Sequence, residues 1–169
     1  MTTEAAFIAY VAARRSQLFR TACLLCGDPH RAEDVVQDAL VRLYAAWDRV
    51  DRIDNLDGYV RRIIVNANYS ERRRPWRRER ATEPVDVPLD PGFPAEDADA
   101  IRSALRALPP GQRRVIVLRH IWDLTVDETA AELGISPGTV KSQSSNAVAA
   151  LRKTLAPSFG TALGKGDGR

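Results

Sequence analysis

The chain has 169 residues, 44% of them hydrophobic and 28% charged, with a net charge of +3. That length holds one ordinary domain or two small ones, and it is too short for a large enzyme fold. No apolar run approaches the length of a membrane span, and the N-terminus MTTEAAFIAYVAARR lacks the basic segment, apolar core and cleavage site of an export signal, so a cytoplasmic protein is expected.

The predicted elements are all helical. Residues 3–26 form a first amphipathic helix with Phe7, Val11, Leu18, Ala22 and Leu25 on or near one face. Gly27 suits the left-handed residue that ends a helix. Asp28-Pro29 then supplies a cap and a first-turn proline for a second helix, which runs to about Trp47 with a buried stripe of Val36, Leu40, Leu43 and Trp47. A loop follows, then a third helix from about Leu56 to Arg73, with Tyr59, Ile63 and Ala67 in register and Pro75 closing it. Cys23 and Cys26 have C-x-x-C spacing, with His30 nearby and His120 far along the chain. Packing of the thiols as small hydrophobes is the favoured reading, and redox or metal sensing is the alternative. No metal or other cofactor is expected.

Arginine crowds residues 72–80 (RRRPWRRER), whereas residues 83–99 carry acids and no base, so an anionic partner is expected at one place. The prolines of residues 81–96 mark a flexible linker between a first module, 1–80, and a second, 97–156. In the second, Ile101, Leu105 and Leu108 line a helix broken by Pro109-Pro110, and another helix covers GQRRVIVLRHIW. The glycine-rich residues 157–169 are expected to be a disordered tail.

Residues 125–153, TVDETAAELGISPGTVKSQSSNAVAALRK, carry the strongest local signal. Thr125 and Glu128 fit a capping box. Ala130 is small enough for close helix approach, Gly134 ends the first helix, and Ser136-Pro137 starts the next. Burial of Val140, Ala147 and Leu151 leaves Thr139, Lys141, Ser142, Ser145 and Asn146 facing outward. This is a helix-turn-helix whose second helix offers hydroxyl, amide and amine groups to phosphates and base edges. A helix selected only for stability would favour Glu, Lys and Ala over this Ser/Thr/Asn run.

Together, AEDVVQDALVRLYAAW and NLDGYVRRIIVNANYSERRR (residues 32–47 and 55–74) resemble region 2 of bacterial sigma factors. The stretch ALPPGQRRVIVLRHIWDLTVDETAAELGISPGTVKS is similar to their region 4. Regions 1 and 3 have no counterpart, which is the layout of the small extracytoplasmic-function (ECF) sigma factors. The resemblance implies an all-α protein of two small helical domains that binds core RNA polymerase and promoter DNA. It implies that Asp34, Gln37 and Asp38 dock on the clamp helices of the largest polymerase subunit. Arg113 and Arg114, with Val117 and Leu118 on the same helix, would meet the flap of the second-largest. For the −10 element it implies Asn55 in the loop of residues 48–57, then Arg62, Asn66, Tyr69, Arg72, Arg73 and Trp76. The −35 element falls to Thr139, Lys141, Ser142, Ser145 and Asn146.

The linker would thread the RNA exit path. About fifteen extended residues reach roughly 50 Å, and with the radii of two small modules of about 10 Å this spans promoter elements roughly 70 Å apart. An anti-sigma protein is a further expected partner. Two departures bear on promoter sequence. Many ECF members continue into an arginine-rich helix where this chain has Gln143-Ser144-Ser145-Asn146-Ala147, and Ser70 stands where relatives often carry aspartate. The competing reading, an operator-binding regulator, accounts only for residues 125–153. An enzyme would need more than two isolated histidines, with no glycine-rich phosphate loop and no paired carboxylates in a folded segment.

Overall fold

The computed structural model describes residues 3–72 and 95–159, with side chains over residues 3–67 and 97–157. Every described element is helical, and the chain divides into two compact units, residues 1–87 and 88–169.

The first unit packs α1 (Thr3–Cys26), α2 (Pro29–Ala45) and α3 (Leu56–Arg72) against one another. Helix α1 ends as predicted, with Gly27 at φ 70° and its N–H donating to the Cys23 carbonyl at 2.8 Å. Asp28 then caps α2, its Oδ1 accepting the His30 N–H at 2.9 Å. Leu18, Leu25, Val35, Val36, Leu43, Val60 and Ile64 fill the core. Cys23 and Cys26 are reduced and buried, and no cluster of potential metal ligands exists among the described residues.

Two expectations change here. Residues Trp47–Arg52 form a 3₁₀ helix instead of loop, and the Trp47 Nε1–H donates to the Thr3 carbonyl at 2.9 Å. Phe7 stacks edge-on against both Tyr44 and Trp47, at 5.0 and 5.1 Å, so the aromatic cluster fixes the end of α2. In α3 the fully buried stripe is Val60, Ile64 and Val65, while Tyr59, Ile63 and Ala67 flank it half-buried. The inward face of α3 also takes in Arg61, which is why a search for apolar periodicity settles one residue off.

The second unit contains α4 (Ala95–Ala107), α5 (Pro110–Ile116), α6 (Val126–Leu133) and α7 (Pro137–Phe159). Helix α4 begins within the expected linker, and α7 runs through Pro157 to Phe159 into the expected tail. Pro157 is exposed and near the helix end, so the carbonyl left without a donor there can turn to water. After α5 the backbone widens into a π-helix, Val117–Ile121, with the Trp122 N–H reaching the Val117 carbonyl at 3.3 Å. One wide turn inserts an extra residue, and Val115, Ile116, Val117 and Leu118 leading into it are all buried. Asp123 leaves this turn with φ 52°, and the Arg119 Nη1–H braces it by donating to the Leu124 carbonyl at 2.8 Å.

Candidate functional site

The helix-turn-helix is assembled by short-range devices. Thr125 Oγ1 accepts the Glu128 N–H at 3.1 Å, and Glu128 Oε2 accepts the Thr125 N–H at 2.7 Å, which closes the predicted capping box. Gly134 takes φ 66° to turn the chain. Ser136 Oγ accepts the Thr139 N–H at 3.1 Å and starts α7. Val115, Ala130 and Val140 form the buried centre that sets α5, α6 and α7, with Val126, Leu133 and Ile135 packed around it. The outward face of α7 then follows from that packing. Lys141, Ser142, Ser145 and Asn146 are exposed, and Thr139 is half-buried with its hydroxyl 2.8 Å from that of Ser136. Thr139, Ser142 and Asn146 line a polar cleft of about 540 Å³ with Gly111 and Gln112 of α5, whereas Lys141 and Ser145 lie outside it. Gln143, which is not among the expected −35 contacts, also lines that cleft.

Arg113 is corrected. Expected to meet the polymerase flap, it is instead 2% exposed and donates to the carbonyls of Leu105, Arg106 and Leu108, at 2.7, 2.6 and 2.9 Å. Its guanidinium satisfies the open C-terminal carbonyls of α4 and joins that helix to α5, so it is not presented to a partner. Val117 and Leu118 of the following turn are also fully buried. Arg114 remains half-buried at the edge of the same element.

On α2, Asp34, Gln37 and Asp38 are exposed together, as expected. Asp38 pairs with Arg42 at 2.9 Å, with both side chains half or more exposed. The same face continues into Val41 and Tyr44, 67% and 57% exposed. Their spacing continues the outward stripe of Asp34 and Asp38, and an apolar residue on a polar stripe was the available signal. On α3, Arg62 and Asn66 are exposed one turn apart. The Asn55 Oδ1 accepts the Gly58 N–H at 2.8 Å and so caps α3. A Cβ at Gly58 would stand 2.7 Å from the Asn55 amide nitrogen, so a side chain there would make the capping amide shift. The start of α3 is tied to α1, because Asp57 accepts the Tyr10 hydroxyl at 3.0 Å and pairs with Arg14 at 2.9 Å. Burial, then the Asp57 hydrogen bond and charge, push the Tyr10 phenol well above its ordinary range, with Arg14 opposing. The side chains of Tyr69 and Arg72, and residues Arg73 and Trp76 entirely, lie outside the described residues.

A three-helix unit with a mixed acidic and apolar face, followed by a unit built on a helix-turn-helix, is the architecture of a helical transcription factor. Residues 10–78 match the family model of sigma-70 region 2, and residues 98–151 match that of sigma-70 region 4. RNA polymerase sigma-E factor of Streptomyces coelicolor is 38% identical over 156 residues, 88% of this chain and 85% of that protein. The ECF sigma factor SigM of Mycobacterium tuberculosis is 30% identical over 82% of this chain and 71% of its own length. Among solved structures, the sigma factor RpoE of Bartonella quintana, in complex with the anti-sigma factor NepR, has a TM-score of 0.73 at 26% identity, covering 89% of this chain and 96% of that one. CnrH, in complex with the cytosolic domain of CnrY, gives 0.67 at 27%, covering 91% and 90%.

The chain belongs to the ECF RNA polymerase sigma factors. Its function is promoter-specific initiation of transcription, the regulatory role of sigma factors. An operator-binding regulator is not favoured, since it has no use for region 2.

Proposed function

We propose that this sigma factor divides its work between the faces just described. The exposed face of α2, Asp34, Gln37 and Asp38 extended by Val41 and Tyr44, docks on the clamp helices of the largest polymerase subunit. Acid and amide groups there suit arginines of the partner, and the two apolar side chains supply area that gains from leaving water. Arg114 belongs to the contact with the flap of the second-largest subunit. Helix α7 enters the major groove of the −35 element, with Asn146 suited to an adenine edge and Thr139, Lys141, Ser142 and Ser145 to phosphates and neighbouring bases. Asn55, Arg62 and Asn66 meet the −10 element, joined by Tyr69, Arg72, Arg73 and Trp76, whose arginines suit phosphates and whose indole suits a stacked base. The protein works in the cytoplasm and catalyses nothing itself. Since a similar sigma factor, RpoE, is held by the anti-sigma factor NepR, the same exposed faces serve an anti-sigma protein here.

The observation that carries this reading is the outward face of α7, a run of short hydroxyl and amide groups held at a fixed angle by a buried centre and two caps. Asn146→Ala, assayed as holoenzyme on a promoter library, is expected to relax preference at one −35 base pair by about 1–3 kcal/mol. An unchanged profile removes Asn146 from readout. Asp34→Ala with Asp38→Ala is expected to weaken core-polymerase binding by roughly tenfold, about 1.4 kcal/mol, with DNA binding by the isolated protein unaltered. Equal core affinity takes both aspartates out of the interface.

A further inference from the structure

Gln143 lies between the outward and inward faces of α7, and its amide reaches back across the cleft to α5. A Cβ placed on Gly111 would meet the Gln143 Oε1 at 2.6 Å and its Nε2 at 3.1 Å. Only a residue without a Cβ leaves the amide that space. There the Oε1 is buried and has no hydrogen-bond donor. A buried acceptor without a donor has lost water and gained nothing in exchange. The inward position is therefore held by shape alone, and any donor offered within the cleft competes well for the amide. Gln143 lines the same cleft as Thr139, Ser142 and Asn146, the residues proposed to meet DNA. The chemistry that fits is an adenine edge, whose N6 amine donates and whose N7 accepts, the pair that a carboxamide satisfies in one plane.

We infer that Gln143 is a specificity-determining residue for the −35 element, tucked against Gly111 in the free protein and swung into the cleft to pair with an adenine when promoter DNA enters. The inference rests on the reading of α7 as the −35 helix. No bond is made or broken; one side-chain rotation exchanges an unsatisfied acceptor for a bidentate pair. Gly111 sets how readily this happens, because a methyl group in its place would occupy the tucked position.

The test uses holoenzyme, full-length protein with core polymerase, on promoters randomised through the −35 element. Gln143→Ala is expected to lower preference for adenine at one position by roughly fivefold to a hundredfold. Gly111→Ala is expected to strengthen preference at that same position and to have no effect when combined with Gln143→Ala. Gln143→Leu, which removes the unsatisfied oxygen, is expected to raise the melting temperature while losing the same preference. If Asn146→Ala alters the profile and Gln143→Ala does not, the inference falls and the −35 reading of α7 survives. If neither alters it, both fall. An effect of Gly111→Ala that is the same with and without the Gln143 side chain overturns the coupling between them.

Discussion

Arg113 and Tyr10 each join two helices through a polar group. Arg113 donates to three carbonyls at the end of α4. Hydrogen bonds from a charged donor each contribute about 1.5–3 kcal/mol, so Arg113→Ala is expected to destabilise the second unit by about 3 kcal/mol or more, seen as a large fall in its melting temperature. If the variant melts normally but binds polymerase weakly, Arg113 is a contact residue and its interior role is wrong. Tyr10 ties α1 to α3 through Asp57, and its phenol is held above the ordinary value of 10.0. Above about pH 10 the unfolded chain loses this proton first. The folded state then binds more protons than the unfolded one, and stability falls as pH rises further. The contribution is fully present below pH 10. Chemical denaturation of wild type and Tyr10→Phe across that range is expected to show a steeper alkaline loss in the wild type; parallel curves contradict the tether.

At the scale of elements, the helix-turn-helix was legible because each of its boundaries has its own local chemistry. Thr125 with Glu128, Gly134, and Ser136 with Pro137 act within a few residues of themselves, and each took the predicted geometry. Thr125→Ala is expected to cost about 1 kcal/mol and Gly134→Ala about the same through its left-handed backbone. Thermal unfolding checks both, and an unchanged midpoint for Gly134→Ala means the turn tolerates a side chain. What was not legible depended on contacts distant in sequence. The 3₁₀ turn at Trp47 is set by packing on Phe7 and a bond to Thr3, far back in α1. The π turn at Val117–Ile121 leaves no mark in the apolar pattern, since Val115 to Leu118 are buried in succession just as Thr21 to Cys26 are in the regular helix α1. Charge misled at Arg113, where an arginine serves as a helix cap, and at α3, where Arg61 lies on the inward face. On α2 the exposure of Asp34, Gln37 and Asp38 follows from helical spacing, whereas that of Val41 and Tyr44 does not, because apolar side chains are ordinarily expected inside.

For the whole molecule, the proposed sites fall on separate units, which is what a factor touching polymerase and two promoter elements requires. Neither the α2 face nor the α7 face explains the other, and a protein that bound DNA alone would leave Asp34, Gln37, Asp38, Val41 and Tyr44 without a purpose. The electrostatic share of promoter binding should be modest on α7, where Lys141 is the one cation among the outward residues considered, so contacts there depend on geometry more than on counterion release. The most direct test of the central claim is run-off transcription on genomic promoter fragments with purified core polymerase, with and without this protein. The expected result is a set of new start sites that require the protein and share sequence at −10 and −35. Binding to DNA by the protein alone, with no new start sites and no affinity for core polymerase, would contradict it.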